Sequence, residues 1–361
     1  MKRILTICSL FIVMIAFSFN GYAAEAEEGS EINPKEIIFA HLGDRYGWEV
    51  PFNHHQSIPL PGILRDYNGD WHLFSSSRLM HGEEYDGFKI AAEGDFAGKI
   101  VGQMPDANGA MVEYRPFDIS ITKNVAGLII SALVVILLCW SIKGWYLKNP
   151  KKAPRKGKGM LEVVVEFIYT GVVRPILGKN AKRFAPYLLT VFFFILVMNL
   201  LGLAVIFPGG ANLTGNIAVT LVLALFTFAF TNVRATGHYW KEILWPDVPM
   251  FLKFPLPIMQ LIEIFGMFTK PAALTVRLFA NMMGGHMIVI TLTLLIFIFA
   301  AYGAAATGAA VVGSICFSLF MLTLDVLVSF IQAYVFTMLS TIFIALSHEE
   351  GHEEKAAEEK K

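Results

Sequence analysis

Two hydrophobic stretches near the carboxyl end constrain the fold of this chain most. Residues 255–301 and 309–347 are 47 and 39 residues long, and the small-residue segment 302–308 separates them. A helix rises about 1.5 Å per residue, so about 40 residues extend roughly 60 Å, which is about twice the hydrocarbon thickness of a membrane. The usual helix tilt of about 20° does not absorb that excess. We therefore predict two long, steeply tilted helices that form a hairpin within a membrane.

Three shorter hydrophobic runs complete a prediction of five transmembrane helices. They cover residues 125–142, 186–207 and 216–233. The segment 143–158 holds seven Lys or Arg and no acid, so the positive-inside rule places it in the cytoplasm. The predicted fold is an all-α polytopic membrane protein with its carboxyl terminus inside. An amphipathic helix is predicted on the inner surface over residues 160–177.

The amino-terminal third has a different composition. Residues 1–24 match a secretory signal peptide, with an uncleaved anchor as the alternative. Residues 25–118 hold 17 acids and 7 bases among turn signals, which predicts a small exported acidic domain of unknown function with a few short strands. This domain would be periplasmic or extracellular. Residues 119–347 form the predicted membrane domain, and residues 348–361 form a charged cytoplasmic tail.

The overall composition excludes several classes of protein. Of all residues 55% are hydrophobic and only 16% are charged, whereas a soluble domain carries roughly 25% charged residues. Aromatic residues make up 13%, which excludes a disordered chain. The three cysteines have no metal-site spacing, and the sequence contains no nucleotide-binding motif. We therefore expect no cofactor, no metal and no nucleic-acid partner, and a chain that is not catalytic by itself.

Ionisable groups inside the first long stretch call for an explanation. A charge in hydrocarbon costs at least about 2.5–3.5 kcal/mol on insertion scales. Arg277 lies near the middle of this stretch and stays protonated at any working pH. Asn281 follows it by four residues and Glu263 precedes it by fourteen, so all three fall near one helix face. Arg277 is therefore a fixed positive charge, and Glu263 is a candidate for proton access from the cytoplasm.

The second long stretch carries a polar stripe of its own. Asp325 and Gln332 are spaced by seven residues. In an antiparallel hairpin these groups would line the seam opposite Arg277 and His286. His286 and Asp325 titrate near useful pH when burial and pairing shift them, so they are candidate proton carriers with access from outside. The alternative is a structural ion pair between Arg277 and Asp325.

Four motifs give the chain a family resemblance. Residues 270–286 have the sequence KPAALTVRLFANMMGGH, and residues 330–336 have FIQAYVF. Residues 198–203 and 215–221 have MNLLGL and GNIAVTL. Together these runs resemble subunit a of F-type ATP synthases, and the resemblance covers about residues 125–347.

The resemblance implies a stator proton-channel subunit of a bacterial inner membrane. Its partners would be the ring of c subunits, the b-subunit stator stalk, the remaining ATP synthase subunits and membrane lipid. Arg277 would face the ring carboxylate, and Glu263 would lie in the inner half-channel. The positions of the outer half-channel would be Asn281, His286, Asp325, Gln332 and, where an aspartate is common in the family, Asn216. Many bacterial relatives carry an acid at the position of His286 and a histidine at that of Asp325, so the pair is exchanged here.

Two other classes of function compete with this interpretation. A stand-alone secondary transporter commonly shows inverted repeats with broken helices, and the sequence shows no repeat. A purely structural scaffold of a membrane complex predicts that Arg277→Ala leaves ion flux intact.

Overall fold

The structure is a computed structural model. It describes residues 43–50, 53–79, 83–91, 94, 96–105, 111–154, 157–204, 210–244, 258–300 and 304–348. The signal peptide predicted over residues 1–24 and the tail after residue 348 lie outside the described residues.

Short antiparallel strands occupy the first part of the chain. They are β1 (Gly47–Val50), β2 (Asn53–Pro59), β3 (Pro61–Arg65), β4 (Trp71–Ser75), β5 (Phe88–Ile90), β6 (Ile100–Pro105), β7 (Met111–Tyr114) and β8 (Phe117–Asp118). A 3-10 turn, Ser76–Arg78, follows β4. The strands pair as the hairpin β1-β2 and as two three-stranded sheets with the orders β4-β3-β8 and β5-β6-β7. The short strands expected for this region are therefore present.

The strands enclose a small apolar core because their side chains alternate between two faces. In β3, Leu64 is fully buried while the neighbouring Arg65 is exposed. The core cluster comprises Tyr46, Leu64, Phe74, Leu79, Phe88 and Ile100.

Helices make up most of the remaining chain. They are α1 (Lys123–Lys148), α2 (Gly157–Ile168), α3 (Arg174–Leu177), α4 (Ala181–Leu203), α5 (Ile217–Val233), α6 (Gly237–Leu244), α7 (Ile258–Ala300) and α8 (Ala304–Ser347). A π segment, Tyr169–Val173, joins α2 to α3, and a 3-10 turn, Gly178–Asn180, joins α3 to α4. Four helical segments of the described chain are long and apolar enough to cross a membrane, and α5 is a shorter apolar helix of 17 residues. The protein is thus mostly helical and has the helices of a membrane protein.

The structure corrects two predicted boundaries. The span predicted over residues 186–207 begins earlier, at Ala181, and contains Pro186. Pro186 removes one main-chain hydrogen bond, the one to the Lys182 carbonyl oxygen, but the helix continues on both sides of it, so the proline does not mark the helix start. The loop predicted over residues 302–308 is wrong from Ala304 onwards, where α8 already begins. Alanine has the highest helix propensity, and this segment is rich in it.

The chain divides into two compact units. The first comprises the described residues of Met1–Ile130, Leu201–Ala211 and Met287–Phe320, and the second comprises those of Ser131–Leu200, Asn212–His286 and Met321–Lys361. Within the second unit α4 is the most buried apolar helix. Its Phe192 ring lies 5.7 Å from that of Phe330 in α8, and its Tyr187 ring stacks 3.9 Å from that of Phe230 in α5. The second unit contains all seven predicted site residues.

Candidate functional site

Helix α7 presents two different faces in the part that contains Arg277. One stripe is buried and includes Leu274, Leu278 and Met282. Arg277 lies on the other side of the helix and is exposed. The exposed positions around Arg277 include the small residues Ala273 and Ala280, and Val276 beside it is 57% exposed. The described chain therefore leaves this side of α7 open around a permanent positive charge.

Arg277 has no acidic partner within the described chain. No described carboxylate oxygen lies within 4.0 Å of its guanidinium, and this includes Asp325. The alternative of a structural Arg277–Asp325 ion pair is therefore not realised. The space near Arg277 is open as well, because a Cβ added one heptad on at Gly284 would meet no atom within 4 Å.

Asn281 and Gln332 join α7 to α8. The Asn281 amide Nδ2 donates to Gln332 Oε1 over 2.7 Å. Gln332 is 4% exposed, so this hydrogen bond satisfies an acceptor that water barely reaches. The pairing brings Gln332 of the predicted polar stripe against the first long helix.

Asp325 packs against the backbone of α7 at Gly285. A Cβ at position 285 would lie 2.6 Å from Asp325 Oδ1, closer than any side chain allows. The next residue, His286, interacts electrostatically with Asp325, and its Nδ1 lies 3.1 Å from the Met282 carbonyl oxygen. The predicted His–acid pair is therefore brought together, and a glycine makes room for it.

A buried hydrogen-bonded chain extends this polar seam to α4. Thr214 Oγ1 donates to Asn199 Oδ1 over 2.8 Å, and Asn199 Nδ2 lies 3.4 Å from the Ser329 carbonyl oxygen. Ser329 Oγ in turn donates to the Asp325 carbonyl oxygen over 2.7 Å. In the sequence, Asn199 stood out only as part of the motif MNLLGL at residues 198–203. The sequence carried no signal for Thr214, which lies in an irregular segment before α5.

Asn216 has a local structural role in the described chain. It is the N-cap of α5, and its Oδ1 accepts a 2.9 Å hydrogen bond from the Ala218 amide. The family resemblance implies that Asn216 belongs with the other positions of the outer half-channel. In the structure its side chain accepts a hydrogen bond from the Ala218 amide, which would otherwise be unpaired at the helix start.

Glu263 lies apart from this seam, near Tyr239, which lines a small open pocket in the second unit. Polar groups lining the pocket include Lys270, Tyr239 and Asn232. Burial raises the pKa of Tyr239, and the nearby charge of Glu263 raises it further. The Lys270 ammonium lies 5.4 Å from the Phe343 ring centroid. Sequence reasoning missed Tyr239 and Asn232, because neither stands out in a segment rich in aromatic and polar residues.

The described residues contain no group of three His, Cys, Asp or Glu side chains that could hold a metal ion. The groups brought together on α7 and α8 are instead amides, an imidazole and a carboxylate. The amides donate and accept hydrogen bonds, and the imidazole and the carboxylate can in addition bind and release protons.

The chain matches two family models. A model described as ATP synthase A chain matches residues 126–345, which contain all seven predicted site residues. A model described as a domain of unknown function matches residues 37–119.

Similar proteins named ATP synthase subunit a occur in several bacteria. The protein of Chloroherpeton thalassium is 41% identical over 251 residues, which covers 67% of this chain and 72% of the relative. That of Chlorobium phaeobacteroides (strain DSM 266) is 42% identical over 249 residues, covering 67% and 69%. That of Anaeromyxobacter sp. (strain Fw109-5) is 33% identical over 349 residues and covers 92% of this chain and 75% of the relative.

Proposed function

This chain belongs to the ATP synthase A chain family, and we propose that it is the stator proton-channel subunit of a rotary ATP synthase. In this role it is not catalytic by itself. It conducts protons through two offset half-channels beside the ring of c subunits, and the coupled rotation drives ATP synthesis in partner chains. The b-subunit stalk and the remaining subunits complete the complex.

The observation that carries this proposal is the environment of Arg277. Its guanidinium is exposed on a helix side that includes small residues and has no acidic partner in the described chain. A permanent charge within a membrane span requires a counter-charge, and here a second protein must supply it. A carboxylate on a passing ring helix has the required charge, and Ala273 and Ala280 leave room for that helix to approach.

The coupling mechanism follows from electrostatics. A ring carboxylate that faces lipid must be protonated, because an exposed charge there is expensive. Beside Arg277 the anion is stabilised, so the carboxyl group gives up its proton there. The fixed charge also interrupts any continuous proton path between the half-channels. The membrane potential supplies about 2.3 kcal/mol per charge per 100 mV for each transfer.

The seam between α7 and α8 is the proposed outer half-channel. His286 and Asp325 are its titratable groups, and the pair formed by Asn281 and Gln332 continues it along the two helices. Asn216 is the proposed entrance of this half-channel. The hydrogen bond that its side chain accepts from the Ala218 amide orders the start of α5.

The pocket near Glu263 is the proposed start of the inner half-channel. Lys270 and Tyr239 supply polar groups there that water can hydrate. The basic segment 143–158 and the basic residues after α5 lie on the same proposed cytoplasmic side.

The proposed topology has five spans in a bacterial inner membrane. Helix α5 counts as the fifth, since its 17 residues reach the lower end of the range of about 17–25 residues that cross hydrocarbon. Residues 1–24 would be a signal peptide, residues 25–118 a periplasmic or extracellular domain, and residues 119–347 the channel domain. Residues 348–361 would be a cytoplasmic tail.

ATP-driven acidification of inverted membrane vesicles tests the function. We expect Arg277→Ala to abolish acidification while the complex still assembles, because the ring carboxylate loses the charge that deprotonates it. Arg174→Ala is the matched control, since it removes an exposed arginine from the short helix α3. Undiminished pumping by assembled Arg277→Ala complex would favour a structural scaffold instead.

A further inference from the structure

One face of the sheet β4-β3-β8 is apolar and exposed. Leu73 is 75% exposed, Phe117 64% and Trp71 57%. The complete set of positions on this face is Pro61, Ile63 and Arg65 in β3, Trp71, Leu73 and Ser75 in β4, and Phe117 and Ile119 in and after β8. We call this set the sheet face.

The strand register accounts for the sheet face. Ile63 pairs with Leu73, and Arg65 pairs with both Trp71 and Phe117, so these side chains share one side. The opposite side of the same sheet already carries the buried core, with Leu64 and Phe74. The sheet is therefore apolar on both sides, although only one side is covered by the described chain. Contiguous exposed apolar surface of this kind marks an interaction site.

Hydrogen bonds tie the sheet face to the first candidate span. The amides of Ile119 and Ile121 donate to the carbonyl oxygens of Ile63 and Pro61 over 3.0 and 3.1 Å. Two residues later α1 begins, and there the Lys123 amide donates to the Arg45 carbonyl oxygen over 2.9 Å. The sheet thus runs into the helix through an ordered connection rather than a free linker.

The short connection keeps the sheet face near the membrane surface. From Ile119 to Lys123 is four residues, which span at most about 14 Å when fully extended. The polar layer on each side of a bilayer is about 5–7 Å thick. Ile119 and its neighbours Ile63 and Leu73 are therefore within reach of the lipid into which α1 inserts.

The charges of the sheet face suit a lipid surface. The region 25–118 holds 17 acids and 7 bases, yet the positions of the sheet face carry no acid and one base, Arg65. The Arg65 guanidinium carbon lies 5.9 Å from the Trp71 ring centroid. Tryptophan beside a cation is typical of the membrane–water interface, where the ring meets the acyl boundary and the cation meets phosphate.

We propose that the sheet face rests on the lipid of the outer leaflet, next to the entry of α1. This inference depends on the membrane topology under the proposed function but not on proton translocation. In this proposal residues 43–121 form a lipid-binding domain beside the outer end of the first span.

Depth-dependent fluorescence quenching tests the proposal. The intact complex, with Cys8, Cys139 and Cys316 replaced by serine, carries an environment-sensitive label at Leu73→Cys. It is placed in nanodiscs of phosphatidylethanolamine and phosphatidylglycerol that contain nitroxide-labelled lipid. Met111→Cys is the matched control, because Met111 is 69% exposed but lies in the other sheet, β5-β6-β7. We expect the lipid nitroxide to quench the label at 73 severalfold more than the label at 111. Trp71→Cys gives a second reporter on the same face, with the same expected result.

Two outcomes would overturn the proposal. If iodide in the water reaches the labels at 71 and 73 as readily as the label at 111, nothing covers the sheet face. If both quenchers fail at 71 and 73, a protein covers it, either a neighbouring subunit or a second copy of this chain. Undiminished ATP-driven pumping by the assembled Arg277→Ala complex, with lipid quenching intact at 71 and 73, would count against the proton-channel function alone.

Discussion

At the scale of single residues, Gly285 and Asp325 depend on each other. The carboxylate of Asp325 occupies the space that a side chain at position 285 would need. Asp325 can therefore stand beside His286 only while residue 285 has no Cβ. The same glycine brings the two long helices close together at the polar seam.

We predict that Gly285→Ala displaces Asp325 and sharply reduces ATP-driven proton pumping. The new Cβ would lie 2.6 Å from Asp325 Oδ1, and overpacking of this kind typically costs about 1–3 kcal/mol. Gly266→Ala in the same helix is the matched control, because a Cβ there meets no atom within 4 Å. Equal pumping by the two assembled variants would show that the position of Asp325 does not matter.

A second residue-scale prediction concerns the hydrogen bond between Asn281 and Gln332. Asn281→Ala leaves Gln332 Oε1 buried without a donor, which costs about 1–3 kcal/mol of stability. Gln332→Ala in the same chain removes that unpaired acceptor, so the double variant should lose less stability than the sum of the single variants. Thermal unfolding of the purified complex in nanodiscs measures all three variants. Strictly additive losses would mean that the two side chains do not interact.

The seven-residue spacing of polar groups predicted part of this seam. Because such groups recur on one helix face, the sequence could predict that the stripe of Asp325 and Gln332 meets the first long helix. It could not predict that Arg277 has no partner in the described chain, since the rotation of α7 about its axis depends on packing. The role of Gly285 likewise depends on the distance between two backbones, which composition does not reveal.

At the scale of elements, Asn216 at the start of α5 has two roles, one structural and one proposed for proton transfer. Its side chain caps the helix, and it is also the family position proposed for the outer half-channel. An asparagine directly before an apolar run is itself a sequence signal for a helix start. The capping bond was therefore predictable from the same residue for which the family resemblance implies a part in the outer half-channel.

We predict that Asn216→Ala destabilises the protein by about 1 kcal/mol, because an amide at the start of α5 loses its acceptor. Asn216→Ser keeps an oxygen that can cap, so its stability should stay close to that of the wild type. Measuring pumping on both variants separates the roles, since serine restores the cap but not the amide. A wild-type thermal midpoint for Asn216→Ala would contradict the capping role.

Helix boundaries show where element prediction succeeds and fails. The bounds of α5 follow the predicted run closely, because an N-cap and basic residues flank it. The starts of α4 and α8 were misplaced, since Pro186 and a glycine-containing loop were given more weight than the helix propensity of their neighbours. Helix-breaking residues such as proline and glycine therefore predict a helix boundary well only where packing and the helix propensity of neighbouring residues favour the same boundary.

At the scale of the whole molecule, the five spans proposed above would place the strands and the carboxyl terminus on opposite sides of the membrane. Inverted vesicles expose the cytoplasmic side, so protease added to them should remove residues 349–361 and leave residues 43–121 intact. Right-side-out vesicles should give the reverse pattern for an accessible site in the strand region. Cleavage of both regions in one kind of vesicle would contradict five spans.

The positions of polar and charged groups on α7 and α8 connect the residue-scale and element-scale observations. Asn281 and Gln332 pair in the seam of α7 and α8, whereas the permanent charge of Arg277 lies on a side of α7 that the described chain leaves uncovered. An unpaired charge within a membrane span raises the free energy of an isolated chain. The arrangement is therefore stable only when a partner provides the opposite charge.

Cysteine cross-linking to the ring tests this central claim most directly. In the intact complex freed of its own cysteines, Ala280→Cys is paired with a cysteine on the outer helix of the ring subunit, one turn from the ring carboxylate. Val222→Cys on the exposed side of α5 serves as the control. We expect rapid disulfide formation with the ring at position 280 and none at position 222. Cross-linking at 222 and not at 280, with the complex assembled, would place the ring on another surface and contradict the account.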